Sequence, residues 1–292
     1  MEHTALERYT AAASSSARVI IAHYSTSFSL ACKMLDKDSR VHISNIYALV
    51  RLADEVVDGV ASQAGLEPRA VAQALARLEA ETEAALQTGY STNLIVHAFA
   101  HTARGIGLGS ELTRPFFASM RADLSISTHD ATTLDAYIYG SAEVVGLMCL
   151  RVFRTMPHAP TGHDEELETA ARRLGAAFQK VNFLRDLAAD TTELGRSYFP
   201  GLDPADFSDA HKNALIAEIR ADLNAAQSGI GYLAPRAGQA VSMAHGLFSA
   251  LTQELERTSA AELMRRRISV PTRRKALIAL RSSIRNRRRT AA

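Results

Sequence analysis

The chain has 292 residues, of which 47% are hydrophobic, 22% charged and 6% aromatic, a composition that can fill one large core. With 16 Gly, eight Pro and only two Cys, a turn-rich β fold is disfavoured and a disulfide scaffold is excluded. No apolar run approaches the roughly 20 residues of a membrane span, and the N-terminus lacks the apolar stretch of a signal peptide. We therefore expect a soluble, cytoplasmic, globular protein.

The predicted elements are helices throughout, because apolar residues recur at spacings of three and four along nearly the whole chain. The stripe Val41, Ile46 and Leu49 and the helix start at Pro68 are examples. Helices are predicted over residues 41–59, 68–87, 92–104, 111–124, 132–155, 164–192, 210–228 and 236–258, with irregular segments at 156–163 and 200–209. We predict an all-α fold with one domain over 1–264 and a basic C-terminal helix or tail over 265–292.

The first group of candidate site residues lies at the end of the helix predicted over 41–59. Asp54 and Asp58 are four residues apart, so their Cβ atoms lie about 5–6 Å apart on one helical face. Arg51 and Tyr47 precede them on the same side. Taken alone, this acid pair also fits a solvated helix end.

The second group lies within the helix predicted over 164–192. Asn182, Asp186 and Asp190 are spaced by four and four, and Gln179 extends the same face. The remaining positions around them are largely apolar, so this face is not simply solvated. Two such helices facing each other would enclose a cavity with oxygen ligands on both walls.

Oxygen-only ligands favour Mg²⁺, with Mn²⁺ as the alternative, over zinc. Because Mg²⁺ is commonly held by one or two carboxylates together with substrate phosphates, we expect a diphosphate substrate. Arg51, Arg185 and Arg196 would supply charge-assisted hydrogen bonds to its oxygens. Loss of the diphosphate would leave a carbocation in an apolar cavity that excludes water.

Five stretches of the sequence resemble the squalene/phytoene synthase family. They are HYSTSF at 23–28, YALVRLADEVVD at 47–58, the Tyr-Gly segment at 137–146, QKVNFLRDLAAD at 179–190 and GRSYFP at 195–200. Within the family, YGSAEVVGLM at 139–148 is most similar to bacterial phytoene synthases. The resemblance implies an isoprenoid-synthase-type helical domain with a central cavity.

The resemblance also implies an activity of the prenyltransferase type in carotenoid biosynthesis. Two geranylgeranyl diphosphates would condense head to head, with Mg²⁺, through a cyclopropylcarbinyl (prephytoene) diphosphate to 15-cis-phytoene, releasing diphosphate and using no NADPH. The implied metal ligands are Asp54, Asp58, Asn182 and Asp186, with Asp190 in support. The implied catalytic residues are Asp54, Asp58, Asp186 and Asp190, together with Tyr47, Tyr137, Arg51 and Arg185. The implied substrate-binding residues are Ser25, Ser27, Phe28, Gln179, Arg196 and Tyr198.

Three positions depart from the family pattern. Thr26 stands where Lys is common between the two serines, so one diphosphate would lose a cation. Glu55 stands where a second adjacent aspartate is common, at a position that is not expected to bind metal. Glu143 stands where Gly is frequent, which puts the local helix packing and the cavity shape in question.

Other functions remain open from the sequence. The nearest is a C30 squalene or dehydrosqualene synthase that uses farnesyl diphosphate, and another is a catalytically silent, membrane-associated assembly factor. His97 and His101 are interpreted as a helix-surface pair rather than a zinc site, since no third ligand accompanies them. The glycines at 105, 107 and 109 are interpreted as a helix end rather than a dinucleotide loop.

The charge of the chain is divided between an acidic body and a basic end. Eleven of the 33 Lys and Arg residues lie between Arg265 and Ala292 without any Asp or Glu, which leaves 22 basic against 31 acidic residues in the rest. This tail has no aromatic residue for base stacking, so no nucleic-acid partner is expected. Its stripe Leu277, Leu280 and Ile284 fits either a docked last helix or peripheral contact with the anionic inner face of the cell membrane.

Overall fold

The computed structural model describes residues 4–192, 195–203, 206–271, 273–274 and 278. These residues form an all-helical structure, as predicted. Its α-helices are α1 (Ala5–Tyr24), α2 (Thr26–Cys32), α3 (Lys37–Val57), α4 (Val60–Gln63), α5 (Pro68–Thr88), α6 (Leu94–Ile106), α7 (Ser110–Ala122), α8 (Ala131–Ile138), α9 (Val144–Arg154), α10 (Asp164–Thr192), α11 (Asp209–Ile230), α12 (Pro235–Arg257) and α13 (Ala260–Leu263). Of the predicted irregular segment 200–209, residues 204–205 lie outside the described residues.

The helix ends follow local capping chemistry. The Asp36 side chain accepts hydrogen bonds from the first turn of α3, and the Asn93 side chain does the same for α6. Pro68 and Pro235 occupy the first turns of α5 and α12, where the missing N–H costs nothing. Gly107 ends α6 with a φ of +68°, which confirms the helix-end interpretation of this glycine-rich stretch.

The sequence prediction of one helix over 132–155 is incomplete, because a π-helical turn over Tyr139–Glu143 separates α8 from α9. Two glycines accompany this turn. A Cβ on Gly140 would overlap the Pro115 carbonyl of α7, and a Cβ on Gly175 of α10 would overlap the Ala142 carbonyl. The glycines therefore let α7 and α10 pack closely on both sides of the turn.

The same helical run corrects our expectation that no stretch is long and apolar enough to span a membrane. By length and composition alone Ala131–Arg154 passes that test, with a mean hydropathy of 1.3 in a window that is 44% buried within the fold. It packs against α7 and α10, so it contributes to the interior of the domain.

Two large hydrophobic cores and a small third one around Met243 and Leu247 surround a central cavity. The first joins α1, α3, α5, α6, α7 and α9, and includes the fully buried Phe99, Phe116 and Phe117. The second joins α8, α10, α11, α12 and α13 around Leu184 and Ile219. The cavity between them has a volume of about 710 Å³.

The described part of the predicted basic tail continues along the wall of this cavity. Residues 267–270 line it, and Ile268 and Val270 are buried in the second core. Arg274 pairs with Glu254 of α12, and Ile278 packs against the same helix near Gly246. Leu277, Leu280, Ile284 and the terminal arginines 287–289 lie outside the described residues, so the predicted amphipathic stripe stays a prediction.

Candidate active site

Every residue that the sequence predicts for the site lines the central cavity. These residues are Ser25, Ser27, Phe28, Tyr47, Arg51, Asp54, Asp58, Tyr137, Gln179, Asn182, Arg185, Asp186, Asp190, Arg196 and Tyr198. They come from α2 and α3 with their capping residues Ser25 and Asp58, from α8 and α10, and from the segment 195–203. The structure thus brings the two acidic groups and the Tyr-Gly segment to one place, and their individual roles stay predictions.

The α3 wall carries Asp54 and Asp58 at the end of the helix. Burial and the neighbouring Asp58 carboxylate raise the pKa of Asp54 well above its usual range, although Arg51 opposes this. The Arg51 guanidinium pairs with Glu55 one turn further on and lies 4.4 Å from the centre of the Tyr24 ring. Glu55 is not expected to bind metal, and in the structure its carboxylate holds the Arg51 side chain.

The α10 wall carries the second acidic group, and its apolar face is buried in the second core. Arg185 Nε donates to Asp186 Oδ1 over 2.9 Å, and Arg267 Nε donates to the same oxygen over 2.7 Å. Burial, followed by the charges of Asp186 and Asp58, raises the pKa of Asp190 to about 7. The effect of Asp58 on Asp190 indicates that carboxylates from both walls lie close enough to repel one another.

Sequence reasoning missed Asp123, which follows the last residue of α7 and lines the same cavity. Its carboxylate accepts hydrogen bonds from Tyr137 over 2.7 Å and from Tyr198 over 3.2 Å. Burial raises the pKa of Asp123 to about 6, against the opposing effect of Arg196. A single aspartate without a spaced partner carries no pattern that sequence analysis could have detected.

Arg196 connects Asp123 to the α3 wall. One of its nitrogens donates to Asp58 Oδ1 over 2.9 Å, and the other donates to the Val57 carbonyl over 2.9 Å. The segment that carries Arg196 is held in place by Ser197, whose N–H donates to the Ser127 carbonyl over 2.7 Å. Arg196 is 8% exposed, so most of its hydrogen-bonding capacity is directed at the protein itself.

The end of α1 and the start of α2 supply the first predicted serine and an aromatic wall. The Ser25 hydroxyl accepts from the Phe28 N–H over 3.1 Å and thereby caps α2. The Phe28 ring lies 6.1 Å from that of Tyr47 and 5.9 Å from those of Phe178 and Phe248. These rings present apolar faces to the cavity beside the acidic walls.

The donor set fits a hard divalent cation. All side-chain donors on the two acidic walls are oxygens, and their mutual repulsion raises pKa values that a bound cation would lower. Among the residues that the structure describes, no three His, Cys, Asp or Glu side chains converge closely enough to form a metal site by themselves. A cation here would therefore need further oxygens, such as those of Asn182, water and a diphosphate.

Comparison with known proteins agrees with this arrangement. Residues 21–274 match the squalene/phytoene synthase family. The chain is 30% identical over 249 residues to the phytoene synthase of Pseudescherichia vulneris, covering 78% of this chain and 77% of that one. It is 33% identical over 183 residues to the 15-cis-phytoene synthase of a Paracoccus species, covering 61% and 56% of the two chains. The chain belongs to the squalene/phytoene synthase family.

The fold is shared with solved structures as well. The crystal structure of a dehydrosqualene synthase in complex with a ligand matches with a TM-score of 0.73 at 19% identity, covering 95% of this chain and 97% of that one. The predicted isoprenoid-synthase-type fold and the predicted family are thus both confirmed.

Glu143, where the family frequently has Gly, does not disturb the cavity of this squalene/phytoene synthase family member. Its carboxylate accepts a 2.6 Å hydrogen bond from Arg172 Nε, and the residue is not among those that line the cavity. The close approach of the π turn to α10 is preserved because Gly175 meets the Ala142 backbone there. Thr26 does line the cavity and offers no charge in place of the usual lysine.

The interpretation of His97 and His101 as a helix-surface pair is wrong for His97. His101 is exposed, but His97 is buried and its Nε2 lies 2.9 Å from the Thr10 hydroxyl. Its ring also packs edge-on against Tyr9. Because α1 covers α6 at this point, His97 belongs to the interior rather than to a surface pair.

Proposed function

We propose that the protein is a phytoene synthase that joins two geranylgeranyl diphosphates head to head through a cyclopropylcarbinyl diphosphate. The observation that carries this proposal is the convergence of two acidic helix faces, α3 and α10, at one apolar cavity. The relatives named phytoene synthase support the C20 substrate. The proposal extends the general prenyltransferase chemistry of the family to one substrate.

The polar walls would bind the diphosphate groups. Asp54, Asp58, Asn182 and Asp186 would hold Mg²⁺, or Mn²⁺, with Asp190 in support; the cation neutralises the charge that develops on the departing diphosphate. Arg51 and Arg185 would donate hydrogen bonds to its oxygens. Both guanidiniums contact carboxylates of the protein, Glu55 and Asp186, so substrate binding would redistribute these contacts.

The apolar part of the cavity would protect the cations that form when each C–O bond breaks. Phe28, Tyr47 and Phe178 present aromatic rings there, and ring faces attract positive charge while they exclude water. Tyr137 and Gln179 line the same space. In the last step a proton leaves the final cation, so no hydride donor would be consumed.

The test is to incubate the purified protein with geranylgeranyl or farnesyl diphosphate, each with and without NADPH, and to identify the hydrocarbons. We expect phytoene from the C20 substrate in a yield that NADPH does not change. A product formed only from farnesyl diphosphate would favour a dehydrosqualene synthase, and a strict requirement for NADPH would favour a squalene synthase. We also propose a cytoplasmic location, with the basic residues that follow residue 278 in contact with anionic lipid.

A further inference from the structure

Asp123 is the carboxylate in the cavity wall that the proposed function leaves without a role. Its side chain is only 3% exposed, whereas that of Asp58 is 42% exposed. Burying a carboxylate is costly unless several partners satisfy it. Asp123 has three such partners: Tyr137 of α8, and Arg196 and Tyr198 of the 195–203 segment.

The first partner is shared with a residue of the acidic site. Arg196 Nη1 lies 2.9 Å from Asp58 Oδ1 and 3.6 Å from Asp123 Oδ1, so one guanidinium serves two carboxylates. If Asp123 were uncharged, the positive charge of Arg196 would fall on Asp58 alone. Asp58 would then attract a cation or a cation-bound diphosphate less strongly.

The other two partners are the tyrosines that line the cavity. The Tyr137 hydroxyl of α8 and the Tyr198 hydroxyl of the 195–203 segment both donate to Asp123. Their rings lie 5.3 Å apart, and the Tyr198 ring stacks on Phe183 at 4.0 Å. Asp123 therefore fixes the direction of both hydroxyls, because an ionised carboxylate only accepts hydrogen bonds and each hydroxyl must donate to it.

We propose that Asp123 is a positioning residue that shares the positive charge of Arg196 with Asp58 and orients Tyr137 and Tyr198 in the cavity wall. It acts through these groups, forms no bond to substrate and transfers no proton. The inference rests on the proposed function in taking Asp58 as part of a diphosphate and cation site.

The experiment compares Asp123→Asn with Asp222→Asn, a matched buried acid outside the cavity. Asp222 of α11 has a side chain 6% exposed and pairs with Arg173 and Lys180 at 3.0 and 2.9 Å. For each protein we would measure Mn²⁺ affinity by electron paramagnetic resonance with inorganic diphosphate present, turnover of geranylgeranyl diphosphate, and the urea midpoint. A third variant, Asp123→Glu, keeps the charge but moves the carboxylate.

We expect Asp123→Asn to weaken Mn²⁺ binding at least fivefold and turnover at least tenfold, with a urea midpoint no lower than that of Asp222→Asn. Asp222→Asn should lower the midpoint and leave Mn²⁺ affinity and turnover unchanged. Asp123→Glu should keep the Mn²⁺ affinity within about twofold but lose turnover, because the tyrosines are displaced while the charge remains.

Wild-type Mn²⁺ affinity and turnover in Asp123→Asn would overturn the proposal, as would a fall in stability that matches the loss of turnover. A further contradiction would be equal weakening of Mn²⁺ binding by Asp123→Glu and Asp123→Asn. If the wild type makes no hydrocarbon, the proposed function fails, but the Mn²⁺ titration still tests Asp123. A wild type that binds no Mn²⁺ with diphosphate would refute the positioning role itself.

Discussion

Replacing Asp190 by Asn should stabilise the metal-free protein at neutral and alkaline pH. Asp190 lies among like charges, and its pKa is raised from 3.8 to about 7, first by burial and then by Asp186 and Asp58. The folded protein therefore retains the proton of Asp190 over a pH range in which the unfolded chain has released it. Each unit of this difference corresponds to about 1.4 kcal/mol of unfolding free energy.

The sign follows from the raised pKa of the folded state. Below about pH 4 the carboxyl is protonated in both states, and stability is lost as the pH rises from about 4 to about 7. The full shift corresponds to about 4 kcal/mol, which we reduce to about 2 kcal/mol because Asp190 is partly exposed and its charge is screened. Asn cannot ionise, so the variant avoids this loss.

The assay is urea unfolding at pH 5, 6, 7 and 8 with EDTA present. The free energy of unfolding of Asp190→Asn should exceed that of the wild type by less than about 1 kcal/mol at pH 5 and by about 2 kcal/mol at pH 8. Asp130→Asn is a control of opposite sign, since hydrogen bonds from the Thr133 backbone lower the pKa of Asp130. A difference for Asp190→Asn that is flat with pH, or negative at pH 8, would refute the reasoning.

Two further predictions concern packing and the basic tail. Gly140→Ala should destabilise the protein by more than about 2 kcal/mol, because the new Cβ would overlap the Pro115 carbonyl. Gly105→Ala, whose Cβ would meet open space beside α6, should be neutral or stabilising. Equal unfolding midpoints for the two variants would contradict this prediction. Removing residues 286–292 should weaken sedimentation with anionic liposomes at low salt, because near an anionic bilayer each basic residue contributes about 1 kcal/mol of binding free energy. Turnover on detergent-dispersed substrate should be unchanged. Sedimentation equal to that of the full-length protein across a salt series would show that these charges only aid solubility.

Much of the fold follows from local sequence patterns. Helices such as α5 and α10 are long and their apolar residues recur at helical spacing, so their predicted limits lie close to the observed ones. α1 and α2 lie outside the predicted helices, and α1 contains the Ser14–Ser16 run, whose residues have low helix propensity. In the structure the Ser15 and Ser16 hydroxyls bond to carbonyls one turn earlier, and Ala13 and Ala17 pack into the core.

The candidate site was predictable where its residues repeat at helical spacing and not where tertiary packing alone brings them in. The spacing of four residues identifies Asp54 with Asp58, and Asn182 with Asp186, in the sequence. Asp123 and Arg267 reach the cavity only through the packing of α7 and of the chain after α13. The π turn likewise depends on contacts of Gly140 and Gly175 with neighbouring helices, which no local pattern encodes.

The most direct test of the central claim, that the facing acids of α3 and α10 form one diphosphate site, is the turnover of Asp186→Ala. Losing one such contact should cost at least about 3 kcal/mol of transition-state stabilisation, or about a hundredfold in rate, while the circular dichroism spectrum stays that of the wild type. Asp164→Ala, at the exposed start of the same helix, should keep its activity. Wild-type turnover by Asp186→Ala would contradict the account.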